Sequence, residues 1–255
     1  MSKTIIVTGA GLGIGAATAT TAGARGWSVI VNYRSSAEAA EKVAGNIRAA
    51  GGKAMALRAD VGNEADVVQL FDEAEREFGS VYGLVNNAAV MAGKTRFVDI
   101  DLDRWEATMA SNVRGVFLCS REAARRMSTR SGGSGGVIVN ITSPAAENGA
   151  PGLAIDYATS KGAVNTMTIG LSRELARQGI RVNAVSPGIV ETDMQSFTPM
   201  AEMKARIDMA VPSGRIGKPE EVAEAVCWLL TDAADYVIGT TINVTGGYRG
   251  SDYSE

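Results

Sequence analysis

Short apolar runs rich in β-branched residues alternate along the chain with segments whose apolar residues recur every three or four positions. Runs of the first kind are typical of strands buried on both faces, and segments of the second kind are typical of amphipathic helices. The pattern predicts strands over residues 4–7, 27–33, 54–61, 83–89, 137–141, 180–185 and 240–244. It predicts helices between these strands, ending near residues 26, 51, 78, 127 and 179, and a last helix over 219–230.

This alternation of strands and helices predicts the fold class. A helix that joins two neighbouring strands leaves those strands parallel. The prediction is therefore an α/β, doubly wound parallel sheet of about seven strands with helices on both faces. No shift in composition marks a second domain, so residues 1–255 are predicted to form a single domain. One long helix is predicted over 103–127, and the Ser/Gly-rich stretch 128–136 is predicted to be an exposed loop.

The composition is that of an ordinary globular chain and excludes several partners. Apolar residues make up 45% and charged residues 21%, while the net charge is −3 and the pI about 5.3. These values argue against nucleic acid or an anionic membrane as the main partner. We expect no membrane association, because no apolar run reaches about 18 residues. The first apolar run is also too short for a signal peptide, so we expect a cytoplasmic protein.

The sequence contains no histidine and only two cysteines, Cys119 and Cys227. The lack of histidine excludes Ser-His-Asp and Cys-His catalysis. Two distant cysteines leave no zinc-binding constellation, so no metal site is predicted. Both thiols lie in apolar helical patterns and are expected to be buried and reduced, as in a cytosolic protein. Any acid–base chemistry must therefore come from Tyr, Lys, Asp, Glu or water.

A glycine-rich stretch, residues 8–15, follows the first predicted strand and opens the first predicted helix. Glycines allow the backbone to approach a ligand closely, and the first N–H groups of a helix favour an anion such as a pyrophosphate. A tight turn without a ligand is the alternative. The order strand, glycine turn, helix, strand favours dinucleotide binding.

Tyr157 and Lys161 are four residues apart in a predicted helix and so lie on one face, a turn apart. An ammonium near a phenol favours the phenolate, and we expect it to lower the Tyr157 pKa from its usual value of about 10. The pair would then exchange protons near neutral pH. The spacing also occurs by chance, so the pair needs support from the rest of the chain.

Further motifs occur in a fixed order along the chain. They are Thr8-Gly9-x-x-x-Gly13-Ile14-Gly15, Asp60-Val61, Asn86-Asn87-Ala88, Asn112, Ser143, Tyr157-x-x-x-Lys161 and Pro187-Gly188-x-x-x-Thr192. The set resembles the short-chain dehydrogenase/reductase family from residue 4 to about residue 247. It is most similar to sugar-dehydrogenase and 3-oxoacyl-carrier-protein-reductase members. The resemblance implies a Rossmann-like fold and hydride transfer between a nicotinamide cofactor and a ketone/secondary alcohol pair.

The resemblance assigns four catalytic residues. Tyr157 would be the general acid/base, and Lys161 would lower its pKa and hold the nicotinamide ribose. Ser143 would stabilise the developing charge on the substrate oxygen, although a strand-end serine is an equal alternative. Asn112 would anchor a water that relays protons to Lys161; a solvent-facing Asn is its alternative.

The resemblance also places a cofactor along the predicted strand ends. Asp60 would reach the adenine, and Asn86 would pack near the ribose. Ala89 stands where the family often has Gly, which narrows that turn by one methyl group. The full set of implied cofactor-binding residues is Gly9, Gly11, Leu12, Gly13, Ile14, Gly15, Tyr33, Arg34, Ser35, Asp60, Val61, Asn87, Ala88, Ala89, Tyr157, Lys161, Pro187, Gly188, Ile189 and Thr192.

The residues after the second predicted strand favour one dinucleotide. An acid at this position accepts the ribose hydroxyls of NAD and repels a 2′-phosphate. Here the first acid is Glu38, which we expect to form a capping box with Ser35. Arg34 is then available to a phosphate, whereas Leu12 stands where NADP-preferring relatives often have a basic residue. We predict NADP(H), with NAD possible.

The sequence leaves the substrate open. Sugar or polyol oxidation and 3-oxoacyl-thioester reduction both fit, and a dinucleotide-binding regulator without turnover is the alternative outside enzymes. Residues 189–217, predicted to be irregular or short-helical, would form a lid with Met194, Met200, Met203 and Met209; ordinary core is equally compatible with these methionines. Candidate wall residues are Ala145, Ala146, Asn148, Leu153 and Ile155. A carrier protein could meet Arg125, Arg126, Arg130 and Arg173, although solvated helix faces explain these arginines equally well. The family resemblance implies a homotetramer.

Overall fold

The computed structural model describes residues 3–192 and 200–248, with only the backbone for residues 200–203 and 206. The strands are β1 (Thr4–Val7), β2 (Ser28–Tyr33), β3 (Lys53–Arg58), β4 (Val81–Asn86), β5 (Gly136–Ile141), β6 (Ile180–Pro187) and β7 (Thr241–Val244). The helices are α1 (Gly13–Ala24), α2 (Ala37–Ala49), α3 (Glu64–Phe78), α4 (Leu102–Met109), α5 (Gly115–Met127), α6 (Ala145–Asn148), α7 (Ile155–Leu175), α8 (Met200–Ala210) and α9 (Pro219–Leu229).

The strands form one seven-stranded sheet in the order β3-β2-β1-β4-β5-β6-β7, and each described pair is parallel. This confirms the predicted fold class. The chain builds outward from β1 to β3 and then returns to add β4 on the other side of β1. A crevice therefore opens between the carboxyl ends of β1 and β4, where doubly wound sheets bind their ligands.

Alternate residues of the central strands face two separate apolar cores. Ile5 and Val7 pack with α1, α2 and α9 on one face, whereas Ile6 packs with α3, α5 and the end of α7 on the other. All three side chains are fully buried. Burial on both faces explains why the strands read as continuous apolar runs. Cys119 and Cys227 lie in these cores as free thiols.

The helix predicted over 103–127 is present and runs over residues 102–127, but it contains one π-helical turn. It consists of α4, a π-helical turn over Ala110–Arg114, and α5. A π turn adds a residue to the helical repeat and re-aims the side chains it carries. Asn112, within this turn, points into the protein and is fully buried.

Two helices lie between the main elements around the second half of the sheet. The four-residue α6 lies between β5 and α7, and α8 lies in the segment predicted to be irregular or short-helical. The Ser/Gly-rich loop is exposed over 129–134 except for Gly133, but Gly135 is buried and Gly136 is the first residue of β5. None of the helices within the described ranges has the length and apolar character needed to span a bilayer.

Candidate active site

Two clefts lie at the carboxyl ends of the central strands. The first, about 500 Å³, lies above β1, β2 and β4, and the second, about 410 Å³, lies above β5 and β6. Both are lined by Ile14, Asn87, Ala89, Met91 and Thr192, so they join into one groove. A long ligand could therefore reach from one cleft into the other.

The groove collects nearly all the residues singled out from the sequence. The first cleft is lined by Gly9, Gly11, Leu12, Gly13, Ile14, Tyr33, Arg34, Ser35, Asp60, Val61, Asn87, Ala88, Ala89 and Thr192. The second is lined by Ser143, Tyr157, Lys161, Pro187, Gly188 and Ile189, together with the shared residues. Gly15 and Asn112 line neither cleft. Both lie behind residues that line the clefts.

The glycine turn is held from β4. The Thr8 hydroxyl accepts the backbone N–H groups of Asn87 and Ala88, and the Asn87 amide donates to the carbonyls of Thr8 and Gly9. A Cβ on Gly15 would lie 2.4 Å from the Asn87 Nδ2 and 2.5 Å from the Gly9 oxygen, so glycine is required there. Leu12 is the N-cap of α1 and has no polar side chain to cap it, which leaves the first N–H groups for an anion.

The predicted capping box of Ser35 and Glu38 is wrong. Helix α2 begins at Ala37 with Ser36 as its N-cap, so Glu38 lies one position too early to reach back to the N-cap N–H. No side-chain capping bond forms there. Glu38 is exposed and outside the lining of the first cleft, whereas Arg34, Ser35 and Ser36 line it.

Asn32 is a site residue that the sequence prediction missed. Its side chain is buried and donates to the carbonyls of Leu57 and Ala59, and its oxygen accepts the Gly9 N–H. It therefore ties the glycine turn to the end of β3. An asparagine within the apolar run 27–33 was the available signal, because a buried polar side chain in a central strand needs partners.

Tyr157, Lys161 and Ser143 lie together in the second cleft. The Lys161 ammonium is 5.5 Å from the centre of the Tyr157 ring, as the spacing predicted, and donates to the Ile141 carbonyl at 2.7 Å. The Ser143 hydroxyl hydrogen-bonds the phenol, which lowers the Tyr157 pKa in part. A hydroxyl, a phenol and a buried ammonium thus converge on one point of the groove.

The predicted lowering of the Tyr157 pKa is wrong for the protein without a ligand. Burial raises the pKa of Tyr157 to about 12, and the Ser143 hydrogen bond opposes only part of that rise. Burial likewise lowers the pKa of Lys161 to about 8. Burial therefore shifts both groups toward their uncharged forms, because the loss of solvent disfavours each charge. The Lys161 amine, with a pKa of about 8, is still mostly protonated at neutral pH. At neutral pH Tyr157 is a proton donor.

Asn112 is fully buried, which excludes the solvent-facing alternative. Its oxygen accepts the Val90 N–H at 2.8 Å, and its amide donates to the Val90 carbonyl and the Ser160 hydroxyl, both at 3.0 Å. It thus fixes the loop after β4 against the helix that carries Tyr157. The water relay to Lys161 stays a prediction.

Asn86 does not face the groove, contrary to expectation. Its amide donates to the Ser120 hydroxyl and to the Asn140 oxygen in the interior. The next residue, Asn87, takes the position beside both clefts because alternate strand residues point to opposite faces.

The wall of the second cleft agrees in part with prediction. Ala145, Asn148 and Leu153 line it, whereas Ala146 and Ile155 do not. Met91, Lys94 and Tyr248 line it and were missed, since they come from a loop and from the end of the chain. Of the lid methionines, Met194 lies outside the described residues, as do the side chains of Met200 and Met203, and Met209 is exposed.

Comparisons with known proteins give the family. A family model described as enoyl-(acyl carrier protein) reductase matches residues 9–249. The chain is 43% identical to the uncharacterized oxidoreductase YgfF of Escherichia coli (strain K12), over 95% of this chain and 98% of that protein. It is 40% identical to a 3-oxoacyl-(acyl-carrier-protein) reductase of Synechocystis sp., over 96% of each.

A solved structure agrees with these relatives. The short chain dehydrogenase of Burkholderia cenocepacia J2315 in complex with NADP has a TM-score of 0.87 and 35% identity. The match covers 96% of this chain and 97% of that one. The chain belongs to the short-chain dehydrogenase/reductase family, as its ordered motifs predicted.

Proposed function

We propose that this protein transfers a hydride between NADP(H) and a ketone/secondary alcohol pair, with Tyr157 as the general acid/base. The observation that carries the proposal is the convergence of Ser143, Tyr157 and Lys161 in a cleft continuous with the glycine turn. A regulator that only bound a dinucleotide would not need this second cleft.

The residues of the first cleft fit a dinucleotide. Uncapped N–H groups at the start of α1 suit a pyrophosphate, and the close approach of the backbone at Gly15 keeps that turn free of side chains. Asp60 and Val61 line the first cleft and are proposed to hold the adenine, and Thr192 lines both clefts. When bound, the nicotinamide supplies or accepts the hydride.

The side chains of the second cleft would then handle the substrate oxygen. In reduction, Ser143 donates a hydrogen bond to the carbonyl and Tyr157 gives its proton to the forming alkoxide. A phenol that stays protonated at neutral pH suits this direction. Lys161, held by the Ile141 carbonyl, places positive charge beside the phenolate as it forms.

The preference for NADP(H) over NAD(H) rests on Arg34. It lines the first cleft after β2, while Glu38 lies outside that cleft. A guanidinium suits a 2′-phosphate as a charge-assisted partner. The NADP bound by the Burkholderia relative supports this choice.

The substrate is proposed to be a small ketone or alcohol rather than a carrier-bound thioester. Arg126, one of the candidate carrier-binding residues, is ion-paired with Asp72, Glu75 and Glu122. Arg125 also pairs with Glu122, so two of the four candidate arginines already have acidic partners within the protein. The wall of the second cleft contains Met91, Leu153 and Tyr248, which suit an apolar substrate.

The lid and the oligomer are further parts of the proposal. Ile207, Ala210 and Val211 of the 189–217 segment pack with Ile189 and Tyr248 at the second cleft, which supports a lid there.

Exposed Phe117 on α5 and Ile169 on α7 support a homotetramer formed through these helices. Light scattering coupled to size exclusion tests the oligomer. The two buried thiols support a cytoplasmic location.

A substrate panel tests the proposal. Ethyl 3-oxobutanoate, cyclohexanone and D-glucose are assayed with NADPH or NADP by absorbance at about 340 nm. The wild type is expected to turn over at least one of them, and Tyr157→Phe to lose about 100-fold or more in kcat while still binding NADPH. Equal turnover by the wild type and Tyr157→Phe would refute the assigned mechanism.

A further inference from the structure

The loop after β4, residues 87–96, is a wall of both clefts and is held at several points. We call it the shared loop. Asn87, Ala89 and Met91 line both clefts, so its position affects cofactor and substrate together. Asn112 holds Val90, and the Thr95 N–H donates to the Leu153 carbonyl. The stretch between these two anchors has a third contact.

That contact is Arg104 on α4. Its Nη1 donates to the Ala92 carbonyl at 3.2 Å, and its Nη2 donates to the Gly93 carbonyl at 2.9 Å. The same guanidinium meets Asp156 on α7, with Nε to Oδ2 at 2.8 Å and Nη2 to Oδ1 at 3.3 Å. One planar group therefore joins the shared loop to the start of α7. Only a bidentate guanidinium can satisfy both sides at once.

Asp156 immediately precedes Tyr157 and is almost completely buried, with 1% of its side chain exposed. The Thr108 hydroxyl also donates to its Oδ2 at 3.4 Å. Although desolvation opposes ionisation, the Arg104 hydrogen bonds keep the Asp156 pKa below its ordinary value. A buried carboxylate at this position is costly unless it is paired, so the pair is a specific feature of this site.

We propose that Arg104 and Asp156 are a positioning pair that fixes the distance between the shared loop and Tyr157. The proposal rests on the function assigned above, because it supposes that Tyr157 must meet a substrate held against Met91. Neither residue of the pair lines a cleft, so both act through their neighbours. A displacement of about 1 Å between reacting groups is enough to cost about 100-fold in rate.

The first test is made on the protein without cofactor. The variants are R104Q, R104K, D156N and the double variant R104Q/D156N. The matched control is R126Q, because Arg126 is a similarly buried arginine, 19% exposed against 15% for Arg104, in ion pairs on α3 and α5. Hydrogen exchange of the amides in residues 91–95 is expected to be about tenfold faster in R104Q. R104K should show a smaller increase and R126Q none.

The second test is kinetic and uses NADPH with the fastest ketone of the panel. R104Q and D156N are expected to lower kcat by about 10-fold to 100-fold, while the dissociation constant of NADPH changes less than about twofold. R104Q should also raise the KM of the ketone, whereas D156N should not. Only R104Q removes the hydrogen bonds from Arg104 to the carbonyls of the shared loop. The double variant should be no worse than R104Q, since partners that act as a unit are not additive.

The outcomes separate this proposal from the assigned function. If the wild type turns over the ketone but R104Q and D156N match R126Q in exchange and in kcat, the positioning pair is refuted and the function stands. If the wild type fails with every substrate of the panel, the assigned function fails, and the exchange of residues 91–95 still decides whether the pair holds the shared loop. If the losses of kcat in R104Q and D156N add up in the double variant, the proposal that Arg104 and Asp156 act as one unit is also refuted.

Discussion

Lys161 is a buried ammonium at the bottom of the second cleft, and its replacement by methionine is expected to stabilise the protein without cofactor at neutral pH. Burial lowers the Lys161 pKa from 10.5 to about 8. Since each pKa unit corresponds to about 1.4 kcal/mol, the buried charge costs about 3 kcal/mol below pH 8. The variant loses the hydrogen bond to the Ile141 carbonyl, which offsets about 1 kcal/mol. The net gain at pH 7 is about 2 kcal/mol.

The pH dependence of this gain follows from the direction of the pKa change. Because the folded-state pKa is lowered, the unfolded chain binds more protons between pH 8 and pH 10.5, and wild-type stability rises with pH in that window. The difference between Lys161→Met and the wild type should therefore shrink by about 2 kcal/mol from pH 7 to pH 9.5.

Urea unfolding followed by circular dichroism measures both free energies, with Lys42→Met as the control because Lys42 is exposed on α2. The control should match the wild type at both pH values. The reasoning is refuted if Lys161→Met is less stable than the wild type at pH 7, or if its difference from the wild type is independent of pH. Loss of turnover in the same variant would show that stability and activity make opposite demands on this position.

Three further predictions concern the groove. Burial raises the pKa of Tyr157 to about 12, so the unfolded chain ionises first and wild-type stability falls above pH 10. Tyr157→Phe should therefore lose less stability than the wild type between pH 9 and pH 11 in the same urea assay. An equal loss would contradict this prediction. Gly15→Ala should keep the circular dichroism of the wild type but weaken NADPH binding about tenfold or more in a fluorescence titration, because its Cβ would lie 2.5 Å from the Gly9 oxygen; unchanged affinity would contradict it. Arg34→Gln should raise the KM of NADPH about tenfold and leave that of NADH unchanged, since only NADPH carries the 2′-phosphate; parallel changes would remove Arg34 from cofactor selection.

The fold could be predicted from the sequence because burial on both faces of a parallel sheet leaves a clear signal. All seven strand runs were found. β1 matches its predicted bounds, and the displaced boundaries of the other strands are wrong by one to three residues. The three-residue errors lie at the ends of β3 and β4, where the strand gives way to a turn. The π turn at Ala110–Arg114 could not be found, because a single widened turn leaves the helical period nearly unchanged. The start of α2 was misplaced since Ser35 and Ser36 are equally good N-caps by residue type.

Most of the site residues that lie at strand ends were predicted correctly from the sequence. Those positions are fixed by the sheet, so the glycine turn, Arg34, Asp60 and Ser143 reached the groove as expected. Residues that come from loops or from distant parts of the chain were missed, including Met91 and Tyr248. Arg104 and Asp156 are 52 positions apart, and no periodic pattern relates them.

The Tyr157–Lys161 pair shows why spacing predicts geometry better than electrostatics. Helical periodicity placed the ammonium and the ring side by side, and that part is confirmed. The expected pKa change assumed that their attraction decides the outcome. In the folded chain both groups are removed from water, and desolvation moves the two pKa values in the direction of the uncharged forms. Sequence spacing contains no measure of burial, so it could not give this sign. It follows that Tyr157 is set to donate a proton at neutral pH, and that its ionised form needs charge or hydrogen bonds beyond Lys161 and Ser143.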